Sequence, residues 1–278
     1  MVQAPVCTET DFRRITALIK KRFGISLGPQ KRALVISRLQ KHIYNLGFRD
    51  FAEYLKYVEN DPSGKELATL ADRISTNHTY FNRESIHFDY LRDTVIPYWE
   101  SRLTGDEKMR VWSAGCSTGE EAYQIAMILT ERFGPLRVRR KGAILATDIS
   151  REVLRKAAQG RFSADNVARL KKEWIQKYFF QIGSYEFEVK NFLKELILFR
   201  RLNLMRDAFP FKRKFHVIFC RNVMIYFDEL TRRKLLAQFH RYLMPGGFLF
   251  IGHSENLSYD QSFFKYLRPS VYVHEAKP

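Results

Sequence analysis

Residues 111–126, VWSAGCSTGEEAYQIA, run from a short apolar strand through a loop of small residues into the start of a helix. Such a loop is suited to cradle a ligand, because the free N–H groups of the helix N-terminus converge on it. Two carboxylates, Glu120 and Glu121, stand at that helix mouth. They would repel a pyrophosphate, and the spacing of Gly115 and Gly119 is wrong for the G-x-G-x-x-G of a dinucleotide site. A P-loop is excluded because no Gly-Lys-Ser/Thr follows. A ligand bearing positive charge suits the carboxylates better, and S-adenosylmethionine carries both an ammonium and a sulfonium. Asp148 ends the next apolar strand, GAILATD, where an acidic side chain can accept bonds from both hydroxyls of a ribose. Taken singly, Asp148 also reads as a helix cap, and the glutamates as favourable charge in a first turn. Together they point to adenosylmethionine rather than NAD. Cys116 reads as a small filler in the loop. The three cysteines and seven histidines show no metal-ligand spacing, so no metal is expected.

The elements that must position these residues are of two kinds. The first hundred residues read as helical. Thr8 and Asp11 resemble a capping box, and Phe12, Ile15, Leu18 and Ile19 form an apolar face that ends near Gly24. A second helix is expected over 29–47, a third after Asp50, a fourth to about Ile74, and a long one over 84–103. From Met109 apolar strands alternate with helices, which argues for a parallel sheet covered on both faces. Between 174 and 204 the pattern alternates at period two, as in YEFEV, and predicts a small antiparallel insertion. The expected fold is therefore α/β: a Rossmann-like sheet binding S-adenosylmethionine, with a small antiparallel β insertion, preceded by an all-α domain. The expected divisions are a helical domain over 1–75, a linker and long helix over 76–108, and the sheet domain over 109–278. The insertion falls at about 176–203.

The chain has 278 residues, 45% of them hydrophobic, which is ample for a packed interior. Its net charge of +17 suggests an anionic partner: nucleic acid, a membrane surface or an acidic protein. No apolar run approaches the roughly 20 residues needed to span a bilayer. The opening MVQAPVCTET lacks the basic and apolar regions of a secretory signal, so a cytoplasmic protein is expected, with monomer as the expected state. Lys31, Arg38 and Lys41 are spaced to share one exposed helix face.

Two further stretches narrow the chemistry: STNHTYFNRES at 75–85 and FCRNVMIYFD at 219–228. With CSTGEEAY, ATDIS, NL at 203–204 and GHSENL at 252–257, they closely resemble the chemotaxis receptor methyltransferases. The similarity keeps the same order from about Asp11 to Tyr272. That family uses S-adenosylmethionine to esterify glutamate side chains of methyl-accepting chemoreceptors. The resemblance implies a protein-glutamate O-methyltransferase of sensory adaptation, with cofactor contacts at Asn77, Thr79, Arg83, Glu121, Asp148, Asn203, Leu204, Arg221 and Asn222. The loop reading adds Gly115 and Glu120. The resemblance also places Tyr226 near the methyl group, and Arg83 and Tyr226 are expected to orient the incoming carboxylate. The expected partner is the glutamate-rich cytoplasmic helical region of chemoreceptors, with Lys31, Arg38 and Lys41 as the docking face. In the family the small sheet can also tether a receptor's C-terminal peptide, and QIGSYEF leaves that open here. Two departures stand out: Ala122 where proline is frequent, and Asn82 where phenylalanine is common.

Two rival readings remain at this stage. The charge would suit a nucleic-acid methyltransferase, but the chain has neither the Asp/Asn-Pro-Pro-aromatic tetrapeptide of amine methylation nor a Pro-Cys nucleophile pair, so no nucleic-acid partner is expected. A non-catalytic adapter that binds receptors is the other, and the full set of polar residues in the inferred pocket argues against it.

Overall fold

A computed structural model describes residues 4–75, 77–257 and 263–275; Thr76 of the STNHTYFNRES stretch and both chain ends lie outside that set. Four helices open the chain: α1 (Glu9–Phe23), α2 (Arg32–Asn45), α3 (Phe51–Asn60) and α4 (Lys65–Ile74). The cap of α1 is the reciprocal one read from the sequence. Thr8 Oγ1 accepts from the Asp11 N–H at 3.1 Å, and the Asp11 carboxylate accepts from the Thr8 N–H at 3.0 Å. Asp50 caps α3 in one direction, its carboxylate accepting from the Glu53 N–H at 2.8 Å. Phe12, Ile15 and Ile19 pack with Val35, Leu39, Ile43, Phe51 and Leu55 into one core.

Among the described residues the second half carries ten strands: β1 (Met109–Ala114), β2 (Gly142–Asp148), β3 (Arg161–Ser163), β4 (Phe179–Gln181), β5 (Glu186–Val189), β6 (Ile197–Arg201), β7 (Phe215–Cys220), β8 (Leu243–Ile251), β9 (Lys265–Arg268) and β10 (Val271–Val273). The main sheet has the order β6-β2-β1-β7-β8-β10-β9. Its first five strands run parallel, and β10 is antiparallel to both β8 and β9. From β1 the chain builds outward through β2 and β6, then returns to add β7 and β8 on the other side. The strand order thus reverses between β1 and β7, and ligands bind at such a switch point, beyond the carboxyl ends of the strands.

Two sequence expectations are revised. The small antiparallel sheet, of order β3-β5-β4, begins earlier than expected because it recruits Arg161–Ser163, and it loses β6 to the main sheet. β6 lies beside β2 at the sheet edge with one face half open to solvent. Its residues, ILFRR, do not themselves alternate; the period-two signal belongs to β5, EFEV. The long helix starts only at Ile86, because Asn82 and Glu84 have φ of 65° and 54°, outside the helical region. It passes through a π turn at Leu91–Val95 and ends at Glu100.

The helical domain closes over the carboxyl edge of the sheet. Ile25 bridges Phe227, and the Ser26 N–H donates to the Tyr226 carbonyl at 2.7 Å. Lys20 pairs with Asp228 at 2.8 Å, and Asn203 Nδ2 donates to the Arg22 carbonyl at 2.7 Å.

Candidate active site

The switch-point crevice is walled by three parts of the chain. The sheet supplies Gly115, Cys116, Ser117, Glu121, Asp148, Asn203, Leu204, Arg221, Asn222, Val223 and Tyr226. The linker supplies Asn77, Thr79 and Arg83, and the helical domain adds Phe23, Leu27, Lys31 and Leu34. Gly115 has φ 84°, and a Cβ there would run into Val223 Cγ2, so only glycine lets the β1 loop pass this close to the β7 loop. Asp148 is buried at the end of β2, with Oδ2 accepting from the Ser117 N–H at 2.9 Å and Oδ1 from the Ser150 N–H at 3.0 Å. Burial raises its pKa, and the backbone bonds pull the other way. A carboxylate has about four acceptor positions, so the side chain keeps capacity for the two hydroxyls of a ribose. The glycine cradle and Asp148 therefore fit the expected S-adenosylmethionine.

Behind that cradle lies a buried ionic network. The Arg221 guanidinium bonds Glu121 at 3.0 Å through Nη1 and Glu84 at 3.1 Å through Nη2, and it also donates to the Arg83 carbonyl. Glu84 further accepts from Asn222 Nδ2 at 3.1 Å and from the His253 N–H at 3.2 Å. Burial alone would raise the Glu84 pKa; Arg221, Asn222 and the His253 N–H outweigh it and hold the carboxyl below its ordinary range. A second carboxylate, Glu255, accepts from the N–H groups of Asn222, Ile225 and Gly252 at 3.0, 3.1 and 2.5 Å. It ties the β7 loop to the β8 loop, and its burial raises its pKa. Asn222 has φ 59°, a conformation asparagine tolerates.

The structure brings most of the expected site residues to this crevice, with two corrections. Glu120 turns away: its carboxylate accepts from Thr118 Oγ1 and from Asn166 Nδ2, both at 2.7 Å, and it is buried on the side of the small sheet. The pair of carboxylates inferred at the helix mouth is therefore one, and Glu121 is already partnered by Arg221 and by Ser113 Oγ at 2.7 Å. Arg38 is not free on the basic face. Its Nη1 donates to the carbonyls of Ile74 and Ser75 at 2.8 and 2.9 Å, closing the end of α4. Lys31 and Lys41 are exposed, and Lys31 lies on the crevice rim. Arg83 donates to the His78 carbonyl at 2.9 Å, and Tyr226 also lines the crevice wall.

Sequence reasoning passed over Glu84, Glu255 and the wall supplied by the helical domain. Both glutamates lie inside quoted stretches, NRES and GHSENL, but nothing local distinguishes them from surface acids. It also missed that Glu84, His87 and His253 converge, with ligating atoms within 4.8 Å of one another. That cluster is poorly suited to a cation, since Arg221 already occupies the Glu84 carboxylate and its charge lies beside the site. His87 is 1% exposed with neither ring nitrogen bonded; burial first, then Arg221, pushes its pKa down to about 3. The departure at Asn82 is accommodated: its left-handed backbone suits asparagine, and its side chain bonds Gln124 at 2.7 Å and the Arg169 carbonyl at 2.9 Å.

Comparison with known proteins agrees with this geometry. Residues 77–273 match the CheR methyltransferase SAM binding domain, and residues 10–75 the CheR methyltransferase all-alpha domain. The chemotaxis protein methyltransferase of Borreliella burgdorferi is 43% identical over 267 residues, covering 95% of this chain and 94% of that protein. That of Escherichia coli is 38% identical over 276 residues, covering 98% and 93%. Among solved structures, the glycopeptide N-methyltransferase MtfA with sinefungin aligns at TM-score 0.35 and 12% identity over 68% of this chain and 60% of its own, too remote to carry an inference. With both family models matched in order over nearly its whole length, this chain belongs to the CheR methyltransferase family and is an S-adenosylmethionine-dependent enzyme.

Proposed function

We propose that the protein esterifies glutamate side chains on the cytoplasmic helical region of methyl-accepting chemoreceptors, as part of sensory adaptation. The observation that carries this reading is the shared crevice: Arg83 and Tyr226 face the same space as Asp148 and the Gly115 loop. Chemotaxis protein methyltransferases at 43% and 38% identity support the acceptor class. We place the enzyme in the cytoplasm, where the receptor region it would methylate lies, and take a single chain as its working unit. Among the described residues no helix is long and apolar enough to cross a membrane.

S-adenosylmethionine, when bound, supplies an electrophilic methyl group. Gly115, Asp148, Asn77, Thr79, Asn203, Leu204 and Glu121 are the residues that would hold it. The acceptor needs little activation, because a glutamate with a reference pKa of about 4.3 is ionised near neutral pH. The work of the chain is to orient that carboxylate and exclude water, and such positioning supplies roughly 7–11 kcal/mol in favourable cases. Arg83 and Tyr226 orient the carboxylate in this scheme. The Glu84–Arg221–Glu121 network keeps Arg83 in place through its carbonyl. Lys31 and Lys41 draw the acidic receptor helix to the rim. Arg83→Ala tests the assignment. Single-turnover methyl transfer should fall on the order of 10²-fold, with Tyr226→Phe smaller in the same direction. Unchanged turnover in Arg83→Ala would remove Arg83 from the chemistry.

A further inference from the structure

The crevice uses the cations at one end of the sheet, and a second set gathers at the other. β2, β1, β7 and β8 are successive neighbours in the main sheet, about 4.8 Å apart. All four run parallel, so the residues that precede them share one pole. Those residues are Arg140 and Lys141 before β2, Lys108 before β1, Lys212, Arg213 and Lys214 before β7, and Arg241 shortly before β8.

Some cations of this pole are engaged. Arg139 pairs with Glu195 at 2.7 Å, Arg132 pairs with Glu100, and Lys141 bonds the Gly105 carbonyl at 2.7 Å. Asp106 and Glu107 lie in the turn ahead of β1 and offset part of the charge. Arg137, Arg140, Lys212, Arg213 and Lys214 are exposed and make no ion pair among the described residues. In the Gly134–Arg137 turn, next to Arg137 and one helical turn before Arg140, Leu136 is 92% exposed. β7 has six residues, so this pole lies about 20 Å from Arg221 at the crevice.

We propose that this pole is a docking surface for an anionic lipid bilayer, which it would meet with the catalytic crevice facing away. Exposed Lys and Arg are attracted by the negative potential of such a surface within a Debye length of about 8 Å. A bare leucine beside Arg137 has a destination in the acyl boundary of a bilayer and none on a phosphate backbone. That difference favours lipid over nucleic acid. The surface is separate from the crevice, so it stands or falls independently of the receptor reading.

The test is cosedimentation of the full chain with vesicles of phosphatidylcholine alone or mixed with phosphatidylglycerol. The chain should bind the mixed vesicles at low salt, about tenfold more weakly at high salt, and not bind phosphatidylcholine alone. A variant carrying Arg137→Glu, Arg140→Glu, Lys212→Glu and Lys214→Glu should lose about tenfold or more in vesicle affinity. Its affinity for S-adenosylhomocysteine should stay unchanged, which reports an intact fold. Leu136→Asp alone should weaken vesicle binding measurably. Equal binding by the fourfold variant and the parent chain overturns the proposal, as does no binding to the mixed vesicles at low salt. A short RNA duplex that binds more tightly than the vesicles, and is lost in the same variant, also overturns it and makes the pole a polynucleotide surface.

Discussion

Glu84→Ala removes the carboxylate that joins the linker to the β7 and β8 loops. Glu84 accepts from Arg221 Nε at 3.2 Å and Nη2 at 3.1 Å, from Asn222 Nδ2 at 3.1 Å and from the His253 N–H at 3.2 Å. Its side chain is 12% exposed and that of Arg221 is 3% exposed, so water screens the pair little. Removing one partner of a buried ion pair costs about 3–5 kcal/mol. Glu121 remains 3.0 Å from the guanidinium, so Arg221 is not fully orphaned, and the lower end, about 3 kcal/mol, is expected. Glu84→Gln keeps the shape and an acceptor, and should cost about 1–2 kcal/mol. The two effects should separate in urea unfolding midpoints at neutral pH. Since Arg221 and Asn222 wall the crevice, affinity for S-adenosylhomocysteine by calorimetry should fall with them. The pH dependence has a definite sign. The Glu84 pKa is lowered by the fold, so its stabilisation is present above the unfolded-state pKa and lost as pH falls through the folded one. Glu84→Gln should flatten that acid limb. A Glu84→Ala protein within about 0.5 kcal/mol of the parent, binding the cofactor product equally well, would refute the network as the organiser of this end of the site.

Three further outcomes follow from the same geometry. Gly115→Ala should cost about 1–2 kcal/mol from its left-handed backbone alone, plus the collision with Val223. Adding Val223→Ala should recover only the collision, and a Gly115→Ala chain with parental stability and cofactor affinity would show that the loops do not approach so closely. The His87 pKa is pushed down to about 3 and that of His216 to about 4, each chiefly by burial and then by a neighbouring arginine. Their stabilisation is complete above the unfolded-state pKa of about 6.5 and is lost as pH falls, about 2 kcal/mol per histidine at pH 5. Subtracting the profile of His87→Gln from that of the parent isolates the His87 share, and a difference that stays flat between pH 7 and 5 contradicts its burial as a neutral group. Reversing Lys31 and Lys41 to glutamate should weaken binding to a receptor cytoplasmic fragment about tenfold, whereas Arg38→Ala should lower stability instead. An unaltered Kd for the double reversal would move docking elsewhere.

Much of this molecule is legible in short stretches of sequence because the signals are local. Thr8 and Asp50 cap helices with atoms three residues away, and the strand, loop and helix read over 111–126 are β1, its following loop and the helix from Glu120. What was misread is what three-dimensional context decides. Glu120 and Glu121 are neighbours in sequence, but successive helical residues point about 100° apart, so only one can face the crevice. Arg38 shares an exposed helical spacing with Lys31 and Lys41, yet the carbonyls at the end of α4 lie within its reach. The period-two signal of YEFEV belongs to β5, whereas β6, ILFRR, carries no alternation that would assign it to either sheet. Glu84 and Arg221 meet across 137 residues, and the positive φ that aims Glu84 leaves no mark on composition.

The central claim is methyl transfer to a carboxylate, and the most direct measurement is transfer of labelled methyl from S-adenosylmethionine to a chemoreceptor cytoplasmic fragment, followed by alkali treatment. The account predicts base-labile label on the receptor, absent when the acceptor glutamates are replaced by alanine. An enzyme that binds the cofactor by calorimetry but leaves the receptor unlabelled, or labels it in an alkali-stable form, would contradict it.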